Sequence, residues 1–485
     1  MPELRIHIGP LEYVLRFEGS PKLALLLREA GFPVSTPCGG HGICGRCAVP
    51  AAGEIEPKPT QGRVLACKSK LKGDTEIWLE ESGRLSNITM AGPLPLMEMD
   101  PMPGMYGQAV DIGTTTLAVQ LVNLKTGQAI AQAATENRQA RLSDNVIGRI
   151  SAALDGRGNE LQALIRGQLA ELEREACTAA GIKQNDISHT VITGNTAMLY
   201  FYTGKHPASL AVAPFIADHF FGEWLDGKIY LPRCIGAFLG ADLLLALLAS
   251  GMCVREETAL LADIGTNGEI ALWHKSRLYC CAAAAGPAFE GGGIRQGMGS
   301  LPGAIDSVEA RDGILNFTTI GGRPAIGICG SGLIDATAAL LELGLMEESG
   351  RLSQPGILIA PEVSLSQEDI RALQLAKGAI HAAISTLCDT AGIPEDKIKH
   401  VFLAGGFGSH MRAESAARIG LIPRSFARKA IPLGNAALTG AAMLLLNKRL
   451  IAETLRLAEM AEPVTLSGNR LFAEYFMEKM AFGGD

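Results

Sequence analysis

The sequence of 485 residues lacks the features that mark several common classes of protein. It has no excess of positive charge, because 43 lysines and arginines stand against 50 aspartates and glutamates and give a net charge of −7. Non-specific binding of nucleic acid requires cations that neutralise phosphates, so we exclude it. The chain also lacks the G-x-x-x-x-G-K-[ST] motif of P-loop proteins and a Rossmann G-x-G-x-x-G following a first strand.

Long apolar runs are missing too. The most hydrophobic stretch, Ile235 to Val254, is interrupted by Asp242, and the part from Leu243 onward is roughly 12 residues, short of the ~20 that span a membrane. We therefore expect a buried helix there and no membrane association. The first eight residues alternate polar and apolar, which is typical of a strand and not of a signal peptide. With eleven cysteines and no export signal, the chain is expected in the reducing cytoplasm.

Composition and pattern divide the chain into four parts. A helix-like run near Lys22–Ala30 and three strand-like runs (Leu4–Ile8, Glu12–Phe17 and Thr75–Leu79) precede a proline-rich stretch that is typical of an extended linker. From Gly107 onward, strand-like and helix-like stretches alternate, which indicates an α/β architecture. We predict an α/β multidomain protein with a first domain at 1–82, a linker at 83–106, a long α/β unit at 107–450 and a C-terminal extension at 451–485.

The long α/β unit is internally duplicated. Three pairs of similar segments occur in the same order, at Asp111 and Asp263, at Gly194 and Gly405, and at Gly240 and Gly440. The offset is larger in the later pairs, which places an insertion of roughly 50–60 residues in the second copy, between Pro287 and Pro361. We expect two similar lobes, at about 107–257 and 258–450, with a ligand-binding cleft between them.

Four cysteines near the N-terminus form a C-x5-C-x2-C-x19-C pattern, close to the plant-type spacing of a [2Fe–2S] cluster. One loop supplies three of the thiolates, and its glycines let the backbone wrap a cluster and aim N–H groups at the sulfurs. A structural zinc site is the alternative, although such sites usually show two separate C-x2-C pairs. We expect His41, inside the loop, to be a polar loop residue and not a ligand. The predicted ligands are Cys38, Cys44, Cys47 and Cys67.

The cysteine loop resembles that of the adrenodoxin-like branch of [2Fe–2S] ferredoxins. That resemblance implies a β-grasp ferredoxin fold for the first domain. The other seven cysteines lie among apolar neighbours, and six of them are predicted to be core thiols. The seventh, Cys329, stands beside Gly330-Ser-Gly and is kept as a candidate for function.

Two copies of an Asp-Ile-Gly-Thr turn indicate a phosphate clamp. Such a turn exposes backbone N–H groups and hydroxyls that suit phosphate oxygens, and the aspartate before it can hold a hydrated Mg²⁺. One copy alone would indicate an ordinary hairpin, whereas two copies in a duplicated α/β chain indicate a nucleotide site. A third element, His400 to Gly408, runs from an apolar strand into glycines and suits an adenine or ribose edge.

Together these elements resemble the phosphate-1, phosphate-2 and adenosine motifs of the ASKHA superfamily of acetate and sugar kinases, heat-shock chaperone ATPases and actin. That resemblance implies two RNase H-like lobes that close on Mg·ATP. It places Gly330, Ser331 and Gly332 near the crossing of the lobes. The residues implied to contact nucleotide or metal are Asp111, Gly113, Thr114, Thr115, Asp263, Gly265, Thr266, Asn267, Gly268, Gly405, Gly406, Phe407 and Gly408.

The same resemblance implies roles for these residues. Asp111 and Asp263 would position Mg²⁺ and the attacking water. Thr114, Thr115, Thr266 and Asn267 would bind the β- and γ-phosphates. Glu290, in a glycine-rich loop, is interpreted as a solvated carboxylate, with contact to water or to a partner as the alternative.

The whole chain resembles one family, the reductive activators of corrinoid-dependent enzymes, which carry a [2Fe–2S] domain, a linker and an ATPase unit. The resemblance implies that an external low-potential donor reduces the cluster. It also implies that ATP drives an electron onto the Co(II) corrinoid of a partner methyltransferase protein, regenerating Co(I). The oligomeric state stays undecided at this point, with a homodimer as one alternative. The further motifs that carry the resemblance are Gly194–Met198, Gly240–Asp242, Ala285–Gly291, Ile328–Asp335, Leu373–Ile380 and Gly434–Leu438.

Two departures from the family pattern matter. Asn137-Arg-Gln stands where Asn-Pro-Gln is expected, which puts the geometry of that loop in doubt. We also expect the chain to lack the extra middle domain that some members place between linker and ATPase unit.

Two other functions stay open. Activators of radical dehydratases also couple ATP to one-electron transfer, but they bind a [4Fe–4S] cluster between subunits, and the N-terminal four-cysteine pattern argues against this. A redox sensor or assembly module, in which ATP gates partner binding without productive transfer, is the non-enzymatic alternative.

Overall fold

The structure is a computed structural model that describes residues 1–8, 11–29, 47–79, 94, 97–213, 215–265, 267–405 and 411–483. Several residues with predicted roles lie outside these ranges, and those roles stay predictions. They are Cys38, His41, Cys44, Thr266, Gly406, Phe407 and Gly408.

The described part of the first domain contains a mixed five-stranded sheet and one helix. Its elements are β1 (Glu3–Ile8), β2 (Leu11–Arg16), α1 (Leu23–Glu29), β3 (Ala48–Glu56), β4 (Arg63–Leu65) and β5 (Lys70–Leu79). The strand order is β2-β1-β5-β3-β4, with β1 parallel to β5 and the other neighbours antiparallel. The three predicted strand runs and the helix are confirmed, whereas β3 and β4 are absent from the prediction.

Alternating side chains give this sheet one apolar face. Along β5, buried and more exposed positions alternate for most of its length, as the two-residue period of a strand requires. Leu4 and Ile6 of β1 belong to the same apolar cluster as Leu23 and Leu27 of α1. The first domain therefore has a core of its own.

The first lobe is a six-stranded sheet with helices. Its elements are β6 (Tyr106–Ile112), β7 (Thr116–Asn123), β8 (Ala129–Glu136), α2 (Val146–Ala152), α3 (Gly158–Ala180), β9 (Ile187–Gly194), α4 (Thr196–Thr203), α5 (Ala208–Ala211), β10 (Glu223–Leu225), β11 (Ile229–Leu231) and α6 (Ala241–Ser250). The strand order is β10-β11-β9-β6-β7-β8. The central strand β6 runs antiparallel to β7 and parallel to β9.

The second lobe repeats this plan with an insertion and a longer end. Its elements are β12 (Ala259–Ile264), β13 (Gly268–His274), β14 (Arg277–Ala283), β15 (Ala304–Arg311), β16 (Ile314–Thr319), β17 (Gly327–Ile328), α7 (Gly330–Glu342), β18 (Gly356–Ala360), β19 (Val363–Ser366), α8 (Gln367–Ala391), β20 (His400–Ala404), α9 (Ala413–Arg418), β21 (Ala430–Gly434), α10 (Ala436–Leu446), α11 (Leu450–Met460), β22 (Ala461–Pro463) and α12 (Arg470–Lys479). The main sheet has the order β21-β20-β12-β13-β14-β22.

The two main sheets have matching connections. In each sheet an antiparallel meander (β6-β7-β8 or β12-β13-β14) is joined along its first strand to a parallel strand (β9 or β20). The repeated segments at Asp111 and Asp263 end the equivalent strands β6 and β12. The three-stranded sheet β16-β15-β17, α7 and the β18-β19 hairpin have no counterpart among the described residues of the first lobe, and they lie where the growing offset indicates an insertion.

Residues after 450 are built into the second lobe. β22 adds a parallel edge strand to β14. Lys377 of α8 donates its ammonium to the carbonyl oxygen of Lys479 at 2.6 Å and to that of Ala481, beside the buried ring of Phe482. The segment predicted as an extension therefore packs as part of the lobe.

The end of the predicted linker packs against the C-terminal end of α10. The backbone N–H groups of Asp100 and Met102 donate to the carbonyls of Leu446 and Leu445 at 3.1 and 2.9 Å. Asp100 also forms ion pairs with Lys448 and Arg449. From about residue 98 onward, the chain is therefore held against the end of this helix.

The apolar segment after Gly240 is α6, whose leucines are buried between the lobes' cores, as predicted. It is ten residues long. Within the part of the chain that the structure describes, no helix has both the length and the apolar character to cross a membrane.

Candidate functional site

The two repeated turns bring one aspartate from each lobe to the cleft. Asp111 stands at the end of β6 and Asp263 at the end of β12. The Gly405 backbone, with φ of +90°, packs so closely that a Cβ there would lie 2.6 Å from Oδ1 of Asp263. Only glycine fits this position, which explains why the apolar strand β20 runs into glycine.

The two aspartates act on each other electrostatically. Burial raises the pKa of Asp111 to about 7; the amide of Asn435, which donates to Oδ2 at 2.8 Å, opposes this effect, and Asp242 adds to it. Burial also raises the pKa of Asp263 to about 7, with further contributions from Asp242 and Asp111. The two predicted carboxylates therefore lie near enough for the charge of Asp111 to contribute to the raised pKa of Asp263.

Sequence reasoning missed three residues of this site. Asp242, at the start of α6, has a pKa raised by burial to about 6. Glu269 lies directly across from Asp263 in the β12–β13 pairing, and burial, then Asp242 and Asp263, raise its pKa well above the usual range. Asn435 joins Asp111 to the N-terminus of α10, because its Oδ1 accepts from the N–H of Leu438 at 2.8 Å. Asp242 and Asn435 belong to two motifs that carry the family resemblance, Gly240–Asp242 and Gly434–Leu438, and these motifs were the sequence signal that could have identified them.

This donor set suits a hydrated metal ion better than a directly ligated one. Among the described residues, no three side chains of His, Cys, Asp or Glu are grouped to ligate one ion. Mg²⁺ keeps most of its water and needs only one or two carboxylates together with substrate phosphates. Asp111 and Asp263, one from each lobe, fit that requirement.

The loop predicted to bind phosphate, at Gly113–Thr115, is supported by hydrogen bonds from Asn137. Asn137 donates its side-chain amide to the Gly113 carbonyl at 2.9 Å and its backbone N–H to the Thr115 carbonyl at 2.7 Å. Arg138 points away and forms a two-bonded ion pair with Glu171. The arginine in place of the expected proline is thus accommodated without loss of the loop's support.

The remaining predicted nucleotide residues divide into two groups. Thr114, Gly265, Asn267 and Gly268 lie in or beside the two turns, and the N–H of Gly265 donates to the Asn267 carbonyl at 3.0 Å. Gly330, Ser331 and Gly332 begin α7, and Ser331 and Gly332 contact the inserted strand β15. Ser331 donates to the Asp306 carbonyl at 2.9 Å, and a Cβ on Gly332 would lie 2.1 Å from the Ile305 carbonyl oxygen.

Two of the four predicted cluster ligands come together in the first domain. The Sγ atoms of Cys47 and Cys67 are 3.1 Å apart and buried. A disulfide would hold them at about 2.0 Å. Two thiolates on one tetrahedral metal with bonds of about 2.3 Å lie roughly 3.8 Å apart, so a small adjustment would suit a shared metal centre.

Strand pairing explains why these two thiols meet. Cys47 precedes β3, Cys67 follows β4, and the two strands are antiparallel with Ala48 opposite Leu65. The N–H of Ala66 donates to the Cys47 carbonyl at 2.8 Å, which extends the pairing to the cysteines.

The seven other cysteines are all buried, as predicted for six of them. Cys329, the candidate kept apart, lies 3.3 Å from both the Ile305 carbonyl and the Ser331 hydroxyl.

The raised carboxylate pKa values predict a pH-dependent stability. A carboxyl group whose folded pKa lies above its unfolded value near 3.8 stabilises the fold below that value, and this stabilisation is lost as the pH rises through about 7. Asp263→Asn cannot ionise, so without nucleotide and Mg²⁺ we expect it to unfold about 2 °C or more above the wild type at pH 8. Thermal unfolding at pH 5 and pH 8 measures this, and a difference that is the same at both pH values would contradict it.

Two models of one protein family match the chain. The model of the C-terminal domain of RACo, the ASKHA domain, matches residues 257–484, and the model of the RACo middle region matches residues 106–255. The expectation that the chain lacks an extra domain between the linker and the ATPase unit stays a prediction. The family's middle region coincides with the first lobe, so it is not an additional domain before the lobes.

Two characterised relatives extend over most of the chain. The corrinoid activation enzyme RamQ of Eubacterium limosum is 30% identical over 461 residues, which cover 86% of this chain and 77% of that protein. The [Co(II) methylated amine-specific corrinoid protein] reductase of Methanosarcina barkeri is 28% identical over 422 residues, which cover 78% of this chain and 77% of that protein.

A solved structure agrees over the full length. A reductive activator for corrinoid, iron-sulfur protein aligns with 99% of this chain and 98% of its own, with a TM-score of 0.72 and 26% identity. The lobes, the paired aspartates and these relatives lead to one assignment. The chain belongs to the RACo family of reductive activators of corrinoid proteins, which carry an ASKHA domain.

Proposed function

We propose that this protein is an ATP-dependent reductive activator that returns the Co(II) corrinoid of a partner methyltransferase protein to Co(I). The observation that carries the proposal is the pairing, in one chain, of two buried thiols with a cleft that holds one aspartate from each lobe. The names of the two relatives support a corrinoid protein as the substrate.

The cleft supports the ATP-dependent part. Asp111 and Asp263 would hold Mg²⁺ through its water shell, with the pKa of each lowered again by the cation. The turns at Gly113–Thr115 and Gly265–Gly268 would receive the phosphates. Because the two aspartates belong to different lobes, a bound Mg·nucleotide would join the lobes, and its hydrolysis would release them.

The thiol pair supports the electron-transfer part. Cys47 and Cys67 fit a metal–sulfur centre, and with Cys38 and Cys44 they would hold the predicted [2Fe–2S] cluster. When bound, such a cluster supplies one electron at a low potential, near about −400 mV in plant-type ferredoxins. The mixed sheet with one helix supports a β-grasp ferredoxin domain around it.

ATP would be needed because the electron moves to an acceptor whose reduction potential is lower than that of the donor. For a one-electron step, every ~59 mV by which the acceptor lies below the donor costs a factor of ten in equilibrium. Binding energy from the nucleotide-driven closure of the lobes would offset that difference by changing the environment of the corrinoid in the complex. An external donor would reload the protein after each turnover.

The test mixes the reduced protein with a Co(II) corrinoid protein and follows the Co(I) absorbance with and without MgATP. We expect repeated formation of Co(I) only with MgATP, and at most one Co(I) per chain with a non-hydrolysable analogue, which would close the lobes without releasing them. An absence of ATP-dependent Co(I) with every corrinoid protein tried would contradict the proposal, and ATP turnover that no corrinoid protein stimulates would favour a sensor.

Spectroscopy separates the cofactor alternatives. The electron paramagnetic resonance spectrum of the reduced protein should be that of one [2Fe–2S] cluster per chain. A [4Fe–4S] signal would favour the dehydratase-type activator, and zinc with no iron would contradict the electron-transfer role.

A further inference from the structure

Glu290 reaches across the cleft to the phosphate-1 loop. The Thr115 hydroxyl of the first lobe donates to Oε2 of Glu290, in the second lobe, at 2.7 Å. The other carboxylate oxygen, Oε1, lies 3.7 Å from the position that a Cβ on Gly265 would take, beside the phosphate-2 turn. One carboxylate therefore stands next to both predicted phosphate turns, where it is hydrogen-bonded to the protein and still partly exposed to solvent.

The Thr115 hydroxyl cannot donate its hydrogen to Glu290 and to a phosphate oxygen at the same time. A threonine hydroxyl has one hydrogen to donate, and here it is donated to a carboxylate oxygen. A phosphate oxygen is the same kind of partner, an anionic acceptor that shortens and strengthens a hydrogen bond. A nucleotide phosphate that takes the Thr115 hydroxyl must therefore displace Glu290 from it.

A buried cation, the guanidinium of Arg149, lies behind the loop that carries Thr115. Arg149 of α2 is fully buried, with Nε donating to the Ser143 carbonyl at 2.9 Å and Nη1 to Oε1 of Gln139 at 3.3 Å. Its Nη2 is buried with no hydrogen-bond partner.

The charge of Glu290 acts on Arg149. Burial lowers the pKa of Arg149 to about 10, whereas the charges of Asp144 and Glu290 raise it. A buried cation without a partner is costly, so an anion nearby is favoured. Arg149 lies below a loop that Gln139 and Asn137 connect to Gly113, and its charge acts on any anion at that loop.

We propose that Glu290 is a placeholder for the terminal phosphate of the nucleotide and that Arg149 is the positioning residue whose buried charge favours whichever anion occupies that place. The inference rests on the proposed ATP-dependent function and deepens it. In the nucleotide-free protein, Glu290 ties the second lobe to Thr115. When the terminal phosphate takes the Thr115 hydroxyl and lies in the field of Arg149, the Glu290 carboxylate moves away while the Pro287–Glu290 turn stays in place.

The flanking backbone permits this release. Gly286 and Gly291, on either side of the Pro287–Glu290 turn, have φ of +76° and +79°, conformations that glycine adopts without strain. Phe289, next to Glu290, is buried in the core of the second lobe. Glu290 can therefore move its carboxylate while the turn stays anchored at Phe289.

The test compares affinities for Mg·AMP-PNP and MgADP by calorimetry in the wild type and in Glu290→Gln. Without a competing carboxylate, E290Q should bind AMP-PNP about tenfold more tightly, with the affinity for ADP changed by less than a factor of two. An unchanged or lowered ratio of AMP-PNP to ADP affinity would overturn the placeholder role. A merely structural role of Glu290 would shift both affinities together.

The role of Arg149 is tested with substitutions that remove or keep its charge while changing its size little. Arg149→Met should weaken AMP-PNP binding about tenfold and ADP binding less, whereas Arg149→Lys should retain most of the affinity. Equal effects of the two variants would refute the positioning role. Arg157→Met, at an exposed arginine of the same lobe that pairs with Glu160, is the matched control and should change neither affinity.

The outcome is separable from that of the proposed function. If the wild type bound neither nucleotide, the ATP-dependent function itself would fail. If the wild type bound and hydrolysed ATP while E290Q kept the wild-type affinity ratio, only the placeholder would fail. Should R149M unfold in a thermal scan, E290Q alone decides, because Glu290 is only partly buried.

Discussion

Cys67→Ser is expected to abolish ATP-dependent Co(I) formation while leaving ATP binding intact. Cys67 is buried with its Sγ 3.1 Å from that of Cys47, in a domain whose core is separate from those of the lobes. Loss of one of four thiolates removes the cluster or changes its type, so the electron carrier is lost. The measurements are iron content, the electron paramagnetic resonance signal, Co(I) absorbance and nucleotide affinity.

Cys177→Ser is the matched control for this variant. Cys177 is also buried, but it lies in α3 of the first lobe, and burial raises the pKa of its thiol as expected for a core cysteine. This variant should keep iron and Co(I) formation. If Cys67→Ser retained a wild-type cluster and activity, the assignment of the four ligands would be wrong.

Asp263→Asn is expected to reduce Mg²⁺-dependent ATP hydrolysis by roughly 10²- to 10⁴-fold, the range in which positioned acid–base groups act. The substitution preserves shape but removes the charge that would hold hydrated Mg²⁺ and orient the attacking water. Because Asn at this position also removes a poorly solvated charge, the inactive variant should be the more stable one at pH 8. Loss of activity together with a raised unfolding temperature separates a chemical effect from unfolding.

Asp306→Asn is the control in the second lobe. Asp306 accepts from the Thr318 hydroxyl at 2.7 Å in the inserted sheet, away from the cleft carboxylates. It should leave both hydrolysis and its pH dependence unchanged. An Asp263→Asn variant with hydrolysis within a factor of three of the wild type would contradict the role given to Asp263.

Local pattern was enough to predict the repeated parts of the site. The Asp-Ile-Gly-Thr turns at Asp111 and Asp263 and the glycine at Gly405 each follow a strand, and their roles depend on backbone shape close in sequence. The sheet then places them at equivalent ends of β6, β12 and β20. Strand alternation likewise predicted β1, β2 and β5.

Tertiary packing decided the rest. Asn435 contacts Asp111 from 324 residues away, and Glu290 contacts Thr115 from 175 residues away, so no local spacing indicates either bond. Glu269 was hidden for a different reason. The residue that lies across from Asp111 in the first lobe is the buried Ala118, so comparing the two copies gave no signal of chemistry there. The packing of 451–483 and of the linker's end also depends on distant surfaces.

The helix α10 connects two places that are far apart in sequence. Its first turn is capped by Asn435, which holds Asp111, and its last carbonyls hold Asp100 and Met102. All eleven of its residues are buried, and at 1.5 Å per residue it spans about 16 Å. A close-packed helix moves as a unit and does not bend aside. A displacement of Asp111 would therefore be transmitted through α10 to Asp100 and Met102, at the end of the linker that leads to the first domain.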